Sequence, residues 1–227
     1  EAGEIVGRRQ LIGTVGRARF FYEALVSKYR DSSELLAFCD INQTRLNWAV
    51  NYLKEKYPDY PEIKTYLADQ FEEMIATEKP DAVIVTTVDR THHRYIIRAM
   101  ELGCDVISEK PMTVDAVKCQ AIVDAVKRTG RNLRVTFNYR YSPYNTKIRE
   151  LIMDGTIGDV TSVHFEWLLN TSHGADYFRR WHRDKRNSGG LLVHKSTHHF
   201  DLVNFWLGSQ PETVFAFGDL RFYGREN

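Results

Sequence analysis

Lys110 stands between Glu109 and Pro111 at the end of the apolar run Asp105-Val-Ile-Ser108, so an ammonium group leaves a short buried strand in a defined direction. In an open parallel sheet, ligands bind outside the carboxyl ends of the strands, which puts such a lysine at the mouth of a pocket. Near the N-terminus, Gly13-Thr14-Val15-Gly16-Arg17-Ala18 lies between the apolar pair Leu11-Ile12 and a helical pattern. A phosphate-binding turn of a dinucleotide fold belongs there. That fingerprint wants glycine at its first, third and often sixth positions, which here are Gly13, Val15 and Ala18. Val15 departs from it, because a β-branched side chain restricts the approach of a pyrophosphate to the backbone; Gly16 beside it compensates in part. Asp40 follows Leu35–Cys39 about where a carboxylate meets the adenosine ribose hydroxyls. A carboxylate there repels a 2′-phosphate, which favours NAD over NADP.

A second group lies late in the chain. His194 and His198 are four residues apart, a spacing that suits zinc on a helix. Lys195 replaces the glutamate of the zinc-protease pattern and no third ligand is evident, so no metal is expected. Five of the eight histidines fall between His173 and His199. The stretch Tyr177-Phe-Arg-Arg-Trp181-His-Arg-Asp-Lys-Arg186 offers aromatic faces for a sugar ring, and Arg179, Arg180 or Arg183 could bind hydroxyl or carboxylate groups.

Strands alternating with helices must position the first group. Helical patterns cover 17–29, with Phe21, Leu25 and Tyr29 on one face, and a segment capped by Asn42 with Leu46, Ala49, Val50 and Leu53 inward. Asp69 is expected to cap 70–77, His92 to open a helix to Leu102, and Thr113 to cap a helix through Lys127 with Ala116, Cys119, Ile122, Val123 and Val126 inward and Gly130 at its end. Buried strands are expected at 35–39, 82–87 and 105–108, with 132–139 completing the alternation. Parallel strands need crossover helices, so residues 1–137 read as a doubly wound α/β domain. Residues 138–227 read as an α+β domain with a largely antiparallel sheet: a helix over 143–155, a period-two strand at 160–167, one helix over 191–207 ended by Gly208, and a strand pair or one long strand at 213–223.

Composition narrows the function classes. A formal net charge of +1 carries no electrostatic footprint for nucleic acid, and no apolar run approaches a membrane span. Cys39, Cys104 and Cys119 are too few and too scattered for a disulfide framework. The N-terminus lacks signal-peptide regions, so a cytoplasmic protein is expected.

The order of motifs resembles the Gfo/Idh/MocA oxidoreductases, which include glucose-fructose oxidoreductase and inositol dehydrogenase. The resemblance rests on the glycine turn, Cys39-Asp40 with Arg45 five residues later, and Thr87-Val-Asp89 with His92. It continues through Glu109-Lys110-Pro111, Asn138-Tyr-Arg140, Gly155-Thr-Ile-Gly158-Asp-Val160, and Gly189-Gly190 leading to His198 and Asp201. It implies an NAD(P)-binding Rossmann domain and a substrate domain whose sheet also makes oligomer contacts and is incomplete here at the C-terminus. Cofactor contacts are implied for Gly13 to Ala18, Asp40, Arg45, Thr86, Thr87, Asp89, His92, Glu109 and Lys110. Lys110 is implied beside the nicotinamide, and His198 as general base or acid; the family's assisting aspartate falls on His194. Substrate contacts are implied for Asn138, Arg140, Trp181, His194, His198 and Asp201. A sugar, cyclitol or glycoside dehydrogenase follows. Transient oxidation leading to elimination of a glycosidic bond, and a non-catalytic sensor, are the alternatives.

Overall fold

The structure is a computed structural model that describes residues 7–14 and 16–219. The chain divides into two compact units, Glu1–Thr136 and Phe137–Asn227. In the first, six parallel strands run β1 (Gly7–Ile12), β2 (Ser33–Asp40), β3 (Lys64–Leu67), β4 (Ala82–Val85), β5 (Asp105–Ser108) and β6 (Leu133–Val135), in the sheet order β3-β2-β1-β4-β5-β6. The chain winds outward in both directions from β1, which creates a switch point between β1 and β4. β4, Ala-Val-Ile-Val, is buried on both faces, as a central parallel strand must be.

Helices cover both faces. α1 (Ala18–Val26) and α2 (Gln43–Lys56) pack Tyr22, Val26, Leu46, Ala49 and Leu53 against Leu11 and Phe38 of the sheet. α3 (Phe71–Glu78), α4 (His92–Glu101) and α5 (Ala116–Thr129) pack Phe71, Met74, Ile96, Met100 and Ile122 against Val83, Val85 and Val106. Each of these large apolar side chains contributes roughly 1.5–3 kcal/mol by leaving water. Asn42 caps α2 by accepting from the Arg45 N–H at 3.1 Å, and Gly130 ends α5 in the left-handed region.

Several local expectations are corrected. In α1, Phe21 and Leu25 pack partly buried against the core as expected, but the fully buried positions are Ala18, Tyr22 and Val26, and the helix stops before Tyr29, which is 48 % exposed. In α5, Ile122 is buried as expected, whereas Ala116 and Val123 face solvent and Ala125 shares the burial instead. Its cap is Asp115, accepting from the Lys118 N–H at 2.9 Å, because a carboxylate in an extended backbone caps better than the threonine two residues earlier. Asp69 lies inside a 3₁₀ turn, Ala68–Gln70, that the Gln70 side chain closes onto the Leu67 N–H; α3 starts after it. β6 ends at Val135, and Asn138–Tyr141 form a 3₁₀ turn because Asn145 and Thr146 donate to the Tyr139 and Arg140 carbonyls.

The second unit holds α6 (Pro143–Met153), short helices α7 (Thr171–Gly174), α8 (Asp176–Arg179), α9 (Lys185–Ser188) and α10 (Leu191–His194), and α11 (Thr197–Leu207), which ends at Gly208 in the left-handed region. No strand forms at 160–167 or 213–219, and 220–223 lie outside the described residues. Alternating side chains give a segment one apolar face, but a strand exists only where its N–H and C=O groups meet a partner strand. Among the described residues no helix is long and apolar enough to cross a membrane.

Candidate functional site

The register aligns the strand ends. Ile12 pairs with Cys39 and Val85, and Val85 with Ser108, so Gly13, Asp40, Thr86 and Glu109 come next along one edge. The ladder continues there as Gly13 N–H to Cys39 O, Thr86 N–H to Ile12 O and Glu109 N–H to Val85 O, each at 2.8–2.9 Å. Gly13 has φ +88°, and an added Cβ would lie 2.9 Å from the backbone of Thr86 and Thr87. Glycine is required there by the neighbouring strand as well as by the turn. The Thr86 hydroxyl reinforces the junction by donating to the Ile12 and Gly13 carbonyls.

Asp40, 4 % exposed, organises the turn from below. Its Oδ2 accepts from the Thr14 N–H at 2.8 Å and the Thr14 hydroxyl at 2.9 Å, and its Oδ1 accepts from the Asn42 N–H at 3.0 Å. Arg45 approaches Oδ1 at 3.9 Å. Val15, whose branched side chain was the departure from the fingerprint, lies outside the described residues. Gly16 has φ +58° with open space where a Cβ would stand, and no side chain caps the start of α1 at Ala18. That leaves helix N-terminal N–H groups for an anion.

Arg17 crosses the edge to Glu109, donating from Nε to Oε1 at 2.6 Å, while Glu109 Oε2 accepts from the Lys110 N–H at 3.0 Å. The glycine turn and the lysine loop are thus tied together through one buried carboxylate. The Lys110–Pro111 peptide is cis. His92, 1 % exposed, spans two loops: Nδ1 lies 2.9 Å from the Pro111 carbonyl and Nε2 3.0 Å from the Thr87 carbonyl. The ring therefore bridges the lysine loop and the end of β4, where a neutral imidazole has one N–H to donate to either carbonyl.

Asp89 sits beside these groups, 3 % exposed, and burial pushes its carboxyl from 3.8 up to about 7 against the opposing pull of His92 and Lys110. An acid whose pKa is raised on folding binds protons more tightly in the folded state. Its stabilising contribution is complete below about pH 4 and is lost as pH rises to about 7. Asp89→Asn is expected to flatten the stability profile over that window, on the order of 2–4 kcal/mol, and to raise stability above neutrality. Urea unfolding at a series of pH values measures this, and an unchanged slope would contradict it.

In the second unit the helix expected over 191–207 is broken. α10 ends at His194, and the hydrogen bonds from the His198 and His199 N–H groups reach only three residues back, to Lys195 and Ser196. The Thr197 hydroxyl takes the His194 carbonyl at 3.4 Å, the competition that Ser and Thr offer to a helical ladder. His194 and His198 therefore do not share the face of one helix. His194 meets the edges of Trp181, Tyr177 and His182, with centroids 5.7, 5.3 and 4.6 Å away. His198 instead stacks on Tyr139, with centroids 4.0 Å apart and 7° between planes. Arg140 grips Asp201 with Nε and Nη2, pinning the 138–141 turn to α11; Asn138 beside it is exposed.

Three pairings were not legible in spacing: Asp40 with Thr14, Arg17 with Glu109, and Lys195 with Tyr139, whose hydroxyl accepts from Nζ at 2.8 Å. The available signal was a donor in the first turn and an acid at a strand end on the same sheet edge. Trp167, read as a strand residue, stacks on His199 at 4.6 Å. Among the described residues no three histidine, cysteine or acidic side chains gather to hold a metal ion.

The sequence pattern of an oxidoreductase family with an NAD-binding Rossmann fold matches residues 8–137, and that of its C-terminal alpha/beta domain matches residues 149–225. The Bacillus subtilis protein YteT, named as an oxidoreductase with no stated substrate, is 44 % identical over 91 % of this chain and 47 % of its own length. Inositol 2-dehydrogenase of Rhizobium meliloti is 34 % identical over 60 % of this chain and 39 % of its own length. The solved myo-inositol 2-dehydrogenase of Lactobacillus plantarum shares the fold with a TM-score of 0.74 at 23 % identity, over 88 % of this chain and 56 % of that one. The chain spans about half the length of the relatives it matches.

Proposed function

The chain belongs to the Gfo/Idh/MocA oxidoreductase family, and from that premise we propose that it serves hydride transfer between a nicotinamide cofactor and a hydroxyl-bearing carbon of a sugar, cyclitol or glycoside. The observation that carries this reading is the row of strand ends. A glycine turn, a carboxylate at the end of β2 and a lysine after β5 stand on one edge at the switch point, joined by Arg17 and Glu109. The residues fit a dinucleotide: α1 starts without a side-chain cap, Gly16 faces open space, and Asp40 stands where the ribose hydroxyls are read.

When bound, the nicotinamide supplies the hydride acceptor. Each remaining task falls to the chain. Gly13 and Thr14, whose N–H groups are committed to Cys39 and Asp40, shape the turn, so that Gly16 and the N–H groups of Arg17 and Ala18 would receive the pyrophosphate, and Asp40 would select NAD over NADP with Arg45 beside it. Lys110 takes the hydroxyl proton, and Thr87, His92 and Glu109 fix its loop, with the Asp89 carboxyl beside it. In the second unit, His198, stacked on Tyr139, is the alternative acceptor for that one proton.

Calorimetry with NAD and NADP, followed by NADH absorbance with myo-inositol, D-glucose and methyl glucoside, tests this. NAD is expected to bind more tightly than NADP, and at least one polyol to reduce it. Binding of neither nucleotide would overturn the proposal. Polyol or glycoside turnover without net NADH would replace simple oxidation by transient oxidation and elimination.

A further inference from the structure

The second unit carries a concentration of positive charge that the overall balance hides. Residues 170–200 hold six lysines and arginines against two acids, with five histidines among them, in a chain whose formal net charge is +1. Outside this stretch, Arg140 is matched by Asp201, and within it Arg186 is matched by Asp184. Lys195 is treated differently. It lies at the break between α10 and α11, 8 % exposed, and its ammonium donates to the Tyr139 hydroxyl. A phenol is neutral, so this buried charge is not balanced by the partner it has.

The chemistry of that pair sets what it can receive. An ammonium has donors only, so the Tyr139 oxygen must accept from Lys195 and its own O–H points elsewhere. Two further protons remain on Nζ. The pair therefore presents donors from two atoms 2.8 Å apart, a separation that suits the two oxygens of one carboxylate. His198 lies flat against the same Tyr139 ring at 4.0 Å, which puts the donors next to the imidazole assigned to the reacting hydroxyl.

We propose that Lys195 and Tyr139 form a carboxylate subsite, and that the sugar this chain takes is an acidic one, a uronate or its glycoside. The inference deepens the oxidoreductase reading and rests on it only for the sugar framework. A carboxylate is favoured over phosphate because one ammonium and one phenol match a monoanion, whereas phosphate sites draw on several guanidinium groups or a helix N-terminus.

Calorimetry with D-glucuronate and D-galacturonate against D-glucose and D-galactose, with and without NAD, gives the test. The uronates are expected to bind at least about tenfold more tightly than the neutral sugars. Lys195→Met should erase that ratio, Lys195→Arg should keep part of it, and Tyr139→Phe should lower it several-fold. Equal affinities in the wild-type protein, a ratio unchanged in Lys195→Met, or inorganic phosphate displacing the uronate at equal concentration would each overturn the subsite. The wild-type ratio needs no variant to fold. Uronate binding that depends on Lys195 without any nucleotide binding would keep the subsite and remove the redox reading; NAD reduction by neutral sugars alone would do the reverse.

Discussion

Lys110→Ala is expected to lower the rate of NAD reduction about a thousandfold and to leave the fold intact, the range that loss of a positioned proton acceptor gives. The substitution removes only side-chain atoms beyond Cβ. The backbone N–H of residue 110 keeps its bond to Glu109, Glu109 keeps Arg17, and His92 keeps the Pro111 carbonyl. These contacts of the loop do not use the lysine side chain, so the folded content separates a chemical role from a structural one. NADH absorbance gives the rate and circular dichroism the folded content. Lys110→Arg, which keeps a cation in place, should not restore turnover if proton transfer is the role. Turnover within threefold of wild type in Lys110→Ala would remove this residue from the mechanism.

The second large effect is expected at Asp40. In Asp40→Ala three donors lose their acceptor at once: the Thr14 N–H, the Thr14 hydroxyl and the Asn42 N–H. Two of them belong to a residue that is 1 % exposed, so water does not replace the carboxylate freely. The stability cost should be about 2–4 kcal/mol. Arg45, which approaches the carboxylate at 3.9 Å, is released beside the position of a 2′-phosphate, so the preference between nucleotides should shift toward NADP. Denaturant unfolding and paired titrations with NAD and NADP read both effects. An unchanged nucleotide preference would show that Asp40 serves the turn alone. Asp40→Asn retains one acceptor oxygen and should fall between the two on both measurements.

The parts of this molecule that could be read from sequence are those set by local pattern. The all-apolar run of β4, the period of α2 behind Asn42, and the glycines that end α5 and α11 each have a mechanism that acts within a few residues. Placement of Asp40 and Lys110 at strand ends followed from the same logic. Sequence alone reads the apolar stripes of α1 and α5 too wide or off centre, because adjacent residues point about 100° apart and an apolar type alone does not say which of Phe21 and Tyr22 is central, or that Val123 beside the buried Ile122 faces solvent. The break at Lys195-Ser196 was hidden because an unbroken apolar period says nothing about a hydroxyl that competes for a carbonyl. Lys195 and Tyr139 are 56 residues apart, beyond the reach of any spacing argument.

The Arg17–Glu109 bridge has a further consequence. A guanidinium at the head of α1 and a carboxylate at the foot of the lysine loop are bound to each other, so a phosphate that draws Arg17 away releases Glu109 Oε1 and leaves the carboxylate held by the Lys110 N–H alone. Whatever then changes at the lysine loop must be returned in kind: a ligand favoured there by occupied nucleotide favours the nucleotide by the same factor. The two ends of the sheet edge share one free-energy ledger, and the order in which they fill cannot alter the total.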